Sequence, residues 1–149
     1  KEKCLIIGPS GSGKDFLMRK LVEKGLKPCL KWTTRPQRKF EEQGVTYNFV
    51  TDSEFTQSIN EDKFLAYQTF LVTPDGKEPE TWYYGVTKQE FNESQVFIMT
   101  PGEFSNLTDE MRKQCFVVYL DIDRSIRESR LFKREDRMIL YQDDLIQMR

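Results

Sequence analysis

The chain has 149 residues, 38% of them hydrophobic and 32% charged, with a net charge of −1. That length suits one domain around one core, with room for a small subdomain, and the composition excludes an intrinsically disordered chain. The balanced charge excludes a global basic field that would attract nucleic acid, and no apolar run approaches the roughly 20 residues of a membrane span.

Lys1-Glu2-Lys3 leads at once into Cys4-Leu5-Ile6-Ile7, which reads as a buried parallel-type strand and not as a signal peptide. Residues 8–13 read as a loop. Leu17, Leu21 and Val22 then recur at helical spacing, and Gly25 ends that helix. Residues 28–32 suggest a second strand, 35–44 a polar turn-rich segment, and 45–50 an alternating strand with aromatic residues. Thr51-Asp52-Ser53 offers caps for a short helix carrying Phe55 and Ile59. Residues 64–72 and 81–86 read as a hairpin around the turn signal Pro74-Asp75-Gly76. Thr87 caps a short helix ending near Asn92, and the apolar runs 96–99 and 116–120 are further central strands. Asp123 caps a helix running through Arg130 to about Arg134, and another polar helix closes the chain. Strands alternating with helices at both ends imply an α/β sheet, with the β-rich middle, about 35–86, as an inserted lobe.

The cysteines, Cys4, Cys29 and Cys115, form no CxxC pair and sit in or beside apolar runs. They read as small core residues of a protein kept in a reducing cytosol. The chain has no histidine. Histidine general bases, Ser-His triads and histidine metal sites are therefore excluded.

The chemistry is concentrated in Gly8-Pro9-Ser10-Gly11-Ser12-Gly13-Lys14. It follows a predicted strand and opens a predicted helix, the context a P-loop requires. Glycines let successive N–H groups turn inward as an anion nest, and the helix N-terminus adds a favourable dipole. Gly8, Ser10, Gly11, Ser12, Gly13 and Lys14 are thus candidates for holding ATP, with Lys14 reaching the β- and γ-phosphates. The next position usually carries Ser or Thr for Mg²⁺; here it is Asp15, whose carboxylate is also a hard-oxygen ligand for that ion.

From Thr33-Thr34-Arg35-Pro36-Gln37-Arg38 onward the sequence resembles the guanylate kinase family. The resemblance continues through Gly44-Val45-Thr46-Tyr47-Asn48-Phe49-Val50, Phe64-Leu65 and Tyr83-Tyr84-Gly85. It implies a P-loop NTPase fold: a three-layer αβα core with a parallel sheet (about 1–34 and 87–149), a monophosphate-binding lobe (about 35–86) and a short lid (about 130–140). The implied activity is transfer of the ATP γ-phosphoryl group to a nucleoside monophosphate, with Mg²⁺. Arg35, Arg38, Tyr47 and Tyr84 would grip the acceptor phosphate, and Arg130, Arg134 and Arg137 would be lid arginines. Arg35, Arg134 and Arg137 would join Lys14 in catalysis. The partner is a small nucleotide, with no nucleic acid or membrane, acting on a cytoplasmic monomer or weak homodimer.

Two positions depart from the family. Its base-reading glutamate is Ala66 here, and the small hydroxyl residue after the Tyr-Tyr-Gly glycine is Val86. Losing both polar readers argues against plain guanine as the acceptor base, with Gln68 and Thr69 as replacement contacts. Three other readings stay open: a GMP kinase despite the altered readers, a non-catalytic binding module of the same fold, and a ribose 1,5-bisphosphate phosphokinase. That last family is also similar, at Gly13-Lys14-Asp15 and Tyr83-Tyr84-Gly85-Val86. Asp121, in Leu120-Asp121-Ile122-Asp123, falls on the wrong strand for the family's acidic motif, and Asp123 reads as a helix cap.

Overall fold

The structure, a computed structural model, describes residues 2–137, with side chains of the last helix described as far as Lys133. In chain order, β1 (Lys3–Ile7) is followed by α1 (Lys14–Glu23), β2 (Trp32–Thr33), β3 (Asn48–Phe49) and α2 (Asp52–Asn60). The hairpin β4 (Phe64–Val72) and β5 (Glu80–Thr87) comes next, then α3 (Lys88–Glu93) and β6 (Val96–Ile98). The short helices α4 (Pro101–Ser105) and α5 (Asp109–Lys113) precede β7 (Cys115–Tyr119) and α6 (Arg124–Arg137). The closing helix expected from the sequence lies outside the described residues.

Two sheets organise these elements. β1 lies between β6 and β7 in a parallel sheet, with Leu5 opposite both Phe97 and Val117. A central parallel strand is covered on both faces, which is why β1 reads as an unbroken apolar run. The second sheet has the order β3-β2-β5-β4 and is antiparallel except for the β2–β3 pair. The main core gathers Leu5, Ile7, Val86, Phe91, Phe97, Met99, Leu107 and Cys115. Buried Lys3 ties β1 to the end of α3, donating to the carbonyls of Phe91, Asn92 and Ser94 at 2.6, 3.1 and 2.7 Å. Its ammonium also sits over the Phe91 and Phe97 rings.

Several elements differ from the sequence expectation for local reasons. Residues 28–32 are not one strand but a crossing between sheets. The Cys29 N–H bonds the Val96 carbonyl of the first sheet, whereas Trp32 pairs with Gly85 of the second. The strand expected at 45–50 shrinks to Asn48–Phe49, because the Val45 and Thr46 N–H groups turn back to the Glu42 carbonyl. Helices α4 and α5 go beyond the sequence expectation, yet each has a threonine cap, and Thr100 with Glu103 forms a full capping box.

The lobe has its own aromatic core. Phe55 stacks on Phe64 at 4.3 Å between centroids, with Tyr83 and Tyr67 against Phe55 and Trp32 against Phe64. Buried Gly85 leaves room for that stack, since a Cβ there would lie 2.7 Å from two Phe64 ring carbons. Gly85→Ala is therefore expected to cost about 1–3 kcal/mol by overpacking, read as a lower urea midpoint at unchanged slope.

Candidate phosphate-transfer site

The loop between β1 and α1 has left-handed backbone at Gly11 (φ 78°) and Gly13 (φ 98°), bracketing buried Ser12. Such alternation aims successive N–H groups to one side and forms an anion nest. The Ser12 Oγ is buried with no hydrogen-bond partner among the described residues. A buried hydroxyl left unsatisfied costs stability, so a ligand that accepts from it is favoured. The orphan hydroxyl, the glycine-bracketed nest and the following helix fit an anionic phosphate chain. Lys14 Nζ folds back over this loop, donating to the Gly8 carbonyl at 2.6 Å and the Pro9 carbonyl at 3.1 Å. Ser10 is half-buried in the same loop, and Asp15 is exposed in the first turn of α1. No cluster of three or more metal-ligating residues occurs among the described residues.

Helix α6 meets the same loop. Arg130 donates to the Gly11 carbonyl at 3.1 Å, and the Arg127 backbone passes close over Gly11. The side chains of Arg134 and Arg137 lie outside the described residues. Asp121 is exposed beyond the end of β7.

The other half of the site is built on the second sheet. Arg35 has a side chain only 3% exposed, and its fork lies on Glu41 at 2.7 and 2.8 Å. Its Nε donates to the Tyr84 hydroxyl at 3.1 Å, and Nη1 also donates to the Pro36 carbonyl. The guanidinium stands over the rings of Tyr47 and Phe49, and Tyr47 meets Tyr84 edge to face. Arg38 is half-buried beside them, with its backbone N–H on Glu41 Oε1 at 2.9 Å. The four residues expected to surround an acceptor phosphate are thus together.

The electrostatics follow from this packing. Burial lowers the Arg38 pKa, and the Arg35 charge lowers it further. Burial raises both phenols, Tyr47 and Tyr84, against the pull of Arg35. At Tyr47 the negative charges of Glu41 and Asp15 add to the rise. Burial alone would raise the Glu41 pKa, but hydrogen bonds from Arg35 and the Arg38 N–H outweigh it, and the net shift is downward. A depressed carboxylate pKa adds stability that is complete above the ordinary value of about 4.3 and is lost as pH falls through the folded value. Acid titration should therefore destabilise the wild type more than Glu41→Gln below that value, read as melting temperature against pH.

The base-reading positions pair but differ in burial. In register, Ala66 faces Val86 and Gln68 faces Tyr84. Val86, 1% exposed, is part of the main core, whereas Ala66 is half-buried. Gln68 Nε2 donates to Thr100 Oγ1 at 3.3 Å, linking the lobe to the end of β6. Thr69 alternates to the opposite face from Gln68. Four residues escaped the sequence reading: Glu41, Thr100 and the Lys31–Glu103 ion pair at 3.1 Å. Thr100 and Glu103 carried a local signal, their shared capping box.

A family model described as guanylate kinase matches residues 1–81, more than half of the chain. The guanylate kinase of Hydrogenovibrio crunogenus is 42% identical over 86 residues, covering 56% of this chain and 38% of that protein. The guanylate kinase of Fusobacterium nucleatum is 34% identical over 90 residues, covering 60% of this chain and 44% of that protein. The chain thus spans about two fifths of the length of these curated relatives. A solved structure, guanylate kinase from Anaplasma phagocytophilum, superimposes with a TM-score of 0.59 at 20% identity, covering 92% of this chain and 69% of that one. That likeness carries the fold: mixed α/β with a parallel sheet behind a P-loop.

Proposed function

This chain belongs to the guanylate kinase family, and from that premise we propose that it is an ATP-dependent kinase of nucleoside or deoxynucleoside monophosphates. The observation that carries the reading is the presence of two phosphate-type sites in one chain: the Gly-rich loop with its orphan Ser12 hydroxyl, and the Arg35–Arg38–Tyr47–Tyr84 cluster. In this reading Gly8, Ser10, Gly11, Ser12, Gly13 and Lys14 hold the ATP phosphates, and Asp15 holds Mg²⁺, which supplies charge neutralisation when bound. The core is about 1–34 and 87–149, the acceptor lobe about 35–86, and the lid about 130–140, carrying Arg130, Arg134 and Arg137. Catalysis rests on positioning and electrostatics and needs no general base, because phosphoryl transfer asks little covalent chemistry of the protein.

The acceptor base is not plain guanine. Val86 is packed in the core and Ala66 offers no polar group, so two hydrogen-bonding readers are gone. A site built to hydrogen-bond its substrate discriminates by about 10⁴-fold, so the loss of such readers decides preference. Gln68, anchored to Thr100, is a polar side chain on the same face as Ala66. The partner in this reading is a small nucleotide, and no helix among the described residues is long and apolar enough to cross a membrane.

The test is an acceptor panel with ATP and Mg²⁺: ribo- and deoxyribonucleoside monophosphates and ribose 1,5-bisphosphate. Transfer to a monophosphate other than GMP is expected. Preference for GMP over every other acceptor overturns the base assignment. Transfer to the sugar phosphate alone overturns the nucleotide assignment, and absence of both transfer and ATP binding leaves a binding module.

A further inference from the structure

One cross-strand row lies on the face of the second sheet that carries Tyr84. Phe49, Thr33, Tyr84 and Gln68 stand opposite one another on β3, β2, β5 and β4. Paired residues share a face, and neighbouring strands lie about 4.8 Å apart. The row therefore runs from the Phe49 ring under the Arg35 guanidinium, through the Tyr84 hydroxyl, to the Gln68 amide one strand further on. At Gln68 this face meets the core. Its Nε2 donates to Thr100 Oγ1 at 3.3 Å, and a Cβ on Gly102 would stand 3.8 Å from the same nitrogen. A nucleoside that lies along this row, with its phosphate at Tyr84, brings its base to the Gln68–Thr100 pair.

We propose that Gln68 and Thr100 read the acceptor base and select a cytosine-type edge, an amino donor followed by two acceptors. The proposal rests on the monophosphate-kinase reading above and names the base within it. Thr100 Oγ1 accepts from Gln68 and from the Glu103 N–H at 3.1 Å, which fills its lone pairs and leaves its O–H to donate. Gln68 keeps Oε1 to accept and its second Nε2 hydrogen to donate. Because Nε2 is the atom on Thr100, the order along the pair is donor, donor, acceptor. Cytosine presents the complement: carbonyl oxygen, ring nitrogen, amino group. Guanine presents a carbonyl oxygen and two N–H donors, and would have a single acceptor for both donors. Uracil and thymine place their donor between two acceptors, and adenine has no carbonyl oxygen. A carboxylate would suit guanine, but the one beside Thr100 is already engaged. The two Glu103 oxygens accept from Lys31 Nζ at 3.3 and 3.1 Å, and Oε2 also accepts from the Thr100 N–H at 3.1 Å. The Glu103 side chain is only 9% exposed in this ion pair, so drawing it to a base would leave Lys31 without its partner.

The test assays wild type, Gln68→Leu and Gln68→Glu with ATP and Mg²⁺ against CMP, dCMP, GMP, AMP, UMP and dTMP. Binding of CMP and GMP without ATP is measured by calorimetry. Wild type should favour the cytidine acceptors. Gln68→Leu should lower kcat/KM for them by about tenfold to a hundredfold, the discrimination of one bidentate base contact, with ATP KM and melting temperature unchanged. Gln68→Glu offers acceptors only and should shift the CMP-to-GMP ratio toward GMP by a similar factor. An equal fall for every monophosphate in Gln68→Leu reduces Gln68 to a tie between lobe and core and overturns the proposal. An unchanged ratio in Gln68→Glu, or wild-type preference for AMP, UMP or dTMP, also overturns it while the kinase reading stands. Wild-type preference for GMP overturns it together with the base assignment above. If the wild type binds a monophosphate but transfers nothing, the kinase reading fails and Gln68 is still judged by the CMP and GMP Kd. If the wild type binds no monophosphate, both fall.

Discussion

Lys14→Ala is expected to slow phosphoryl transfer by about 10²- to 10³-fold, the range seen when one preorganised charge-stabilising group is removed. The nest itself should survive, because its shape is set by the left-handed glycines at 11 and 13 and by the start of α1, not by the lysine. Lys14 Nζ lies over the Gly8 and Pro9 carbonyls, a short swing from the anion the nest would hold. Its positive charge matters most as charge develops on the transferring group. The loss should therefore fall on kcat more than on the ATP KM. Melting temperature should stay near wild type, since Lys14 is only half-buried. Steady-state kinetics over ATP concentration, with a thermal melt as control, make the measurement. Transfer within about twofold of wild type would remove Lys14 from the mechanism.

What could be read in advance depended on how local the determining physics is. Residues 8–14 declare themselves because glycine conformations, helix dipole and lysine reach all act within one turn of chain. β1 is equally legible: burial on both faces writes itself as an unbroken apolar run. The crossing at 28–32 was not, because its apolar residues serve two sheets and only long-range partners divide them. Arg35 and Arg38 were legible as a basic pair, but the carboxylate that organises them sits in a polar loop with no periodicity. Nothing in Glu41 and Glu42 as sequence says which one turns inward. Val86 shows the limit on the base pocket. Its place in the core follows from β4–β5 register and the irregularity between Phe64 and Ala66, which sequence alternation does not reveal.

Gly11→Ala should be nearly as damaging as losing Lys14, through geometry and without removing a charge. Two costs coincide at this position. The backbone is left-handed, a conformation that costs a non-glycine residue about 1–3 kcal/mol. A Cβ would also stand 2.8 Å from the Arg127 carbonyl oxygen and 3.2 Å from its Cα. Both obstacles are backbone, so no side-chain rotation relieves them. Either α6 moves away from the loop or the loop flattens. The first breaks the Arg130 contact to the Gly11 carbonyl, and the second spoils the nest around Ser12. Displacements of about 1 Å at a phosphate-transfer site can cost on the order of 10²-fold in rate. The expected result is a loss of that size in kcat/KM for ATP, with the acceptor Kd unchanged, since the Arg35–Glu41–Tyr84 cluster stands on the other sheet. Calorimetry with monophosphate alone separates the two halves of the site. Equal damage to acceptor binding would mean that the donor loop and the acceptor lobe are one mechanical unit.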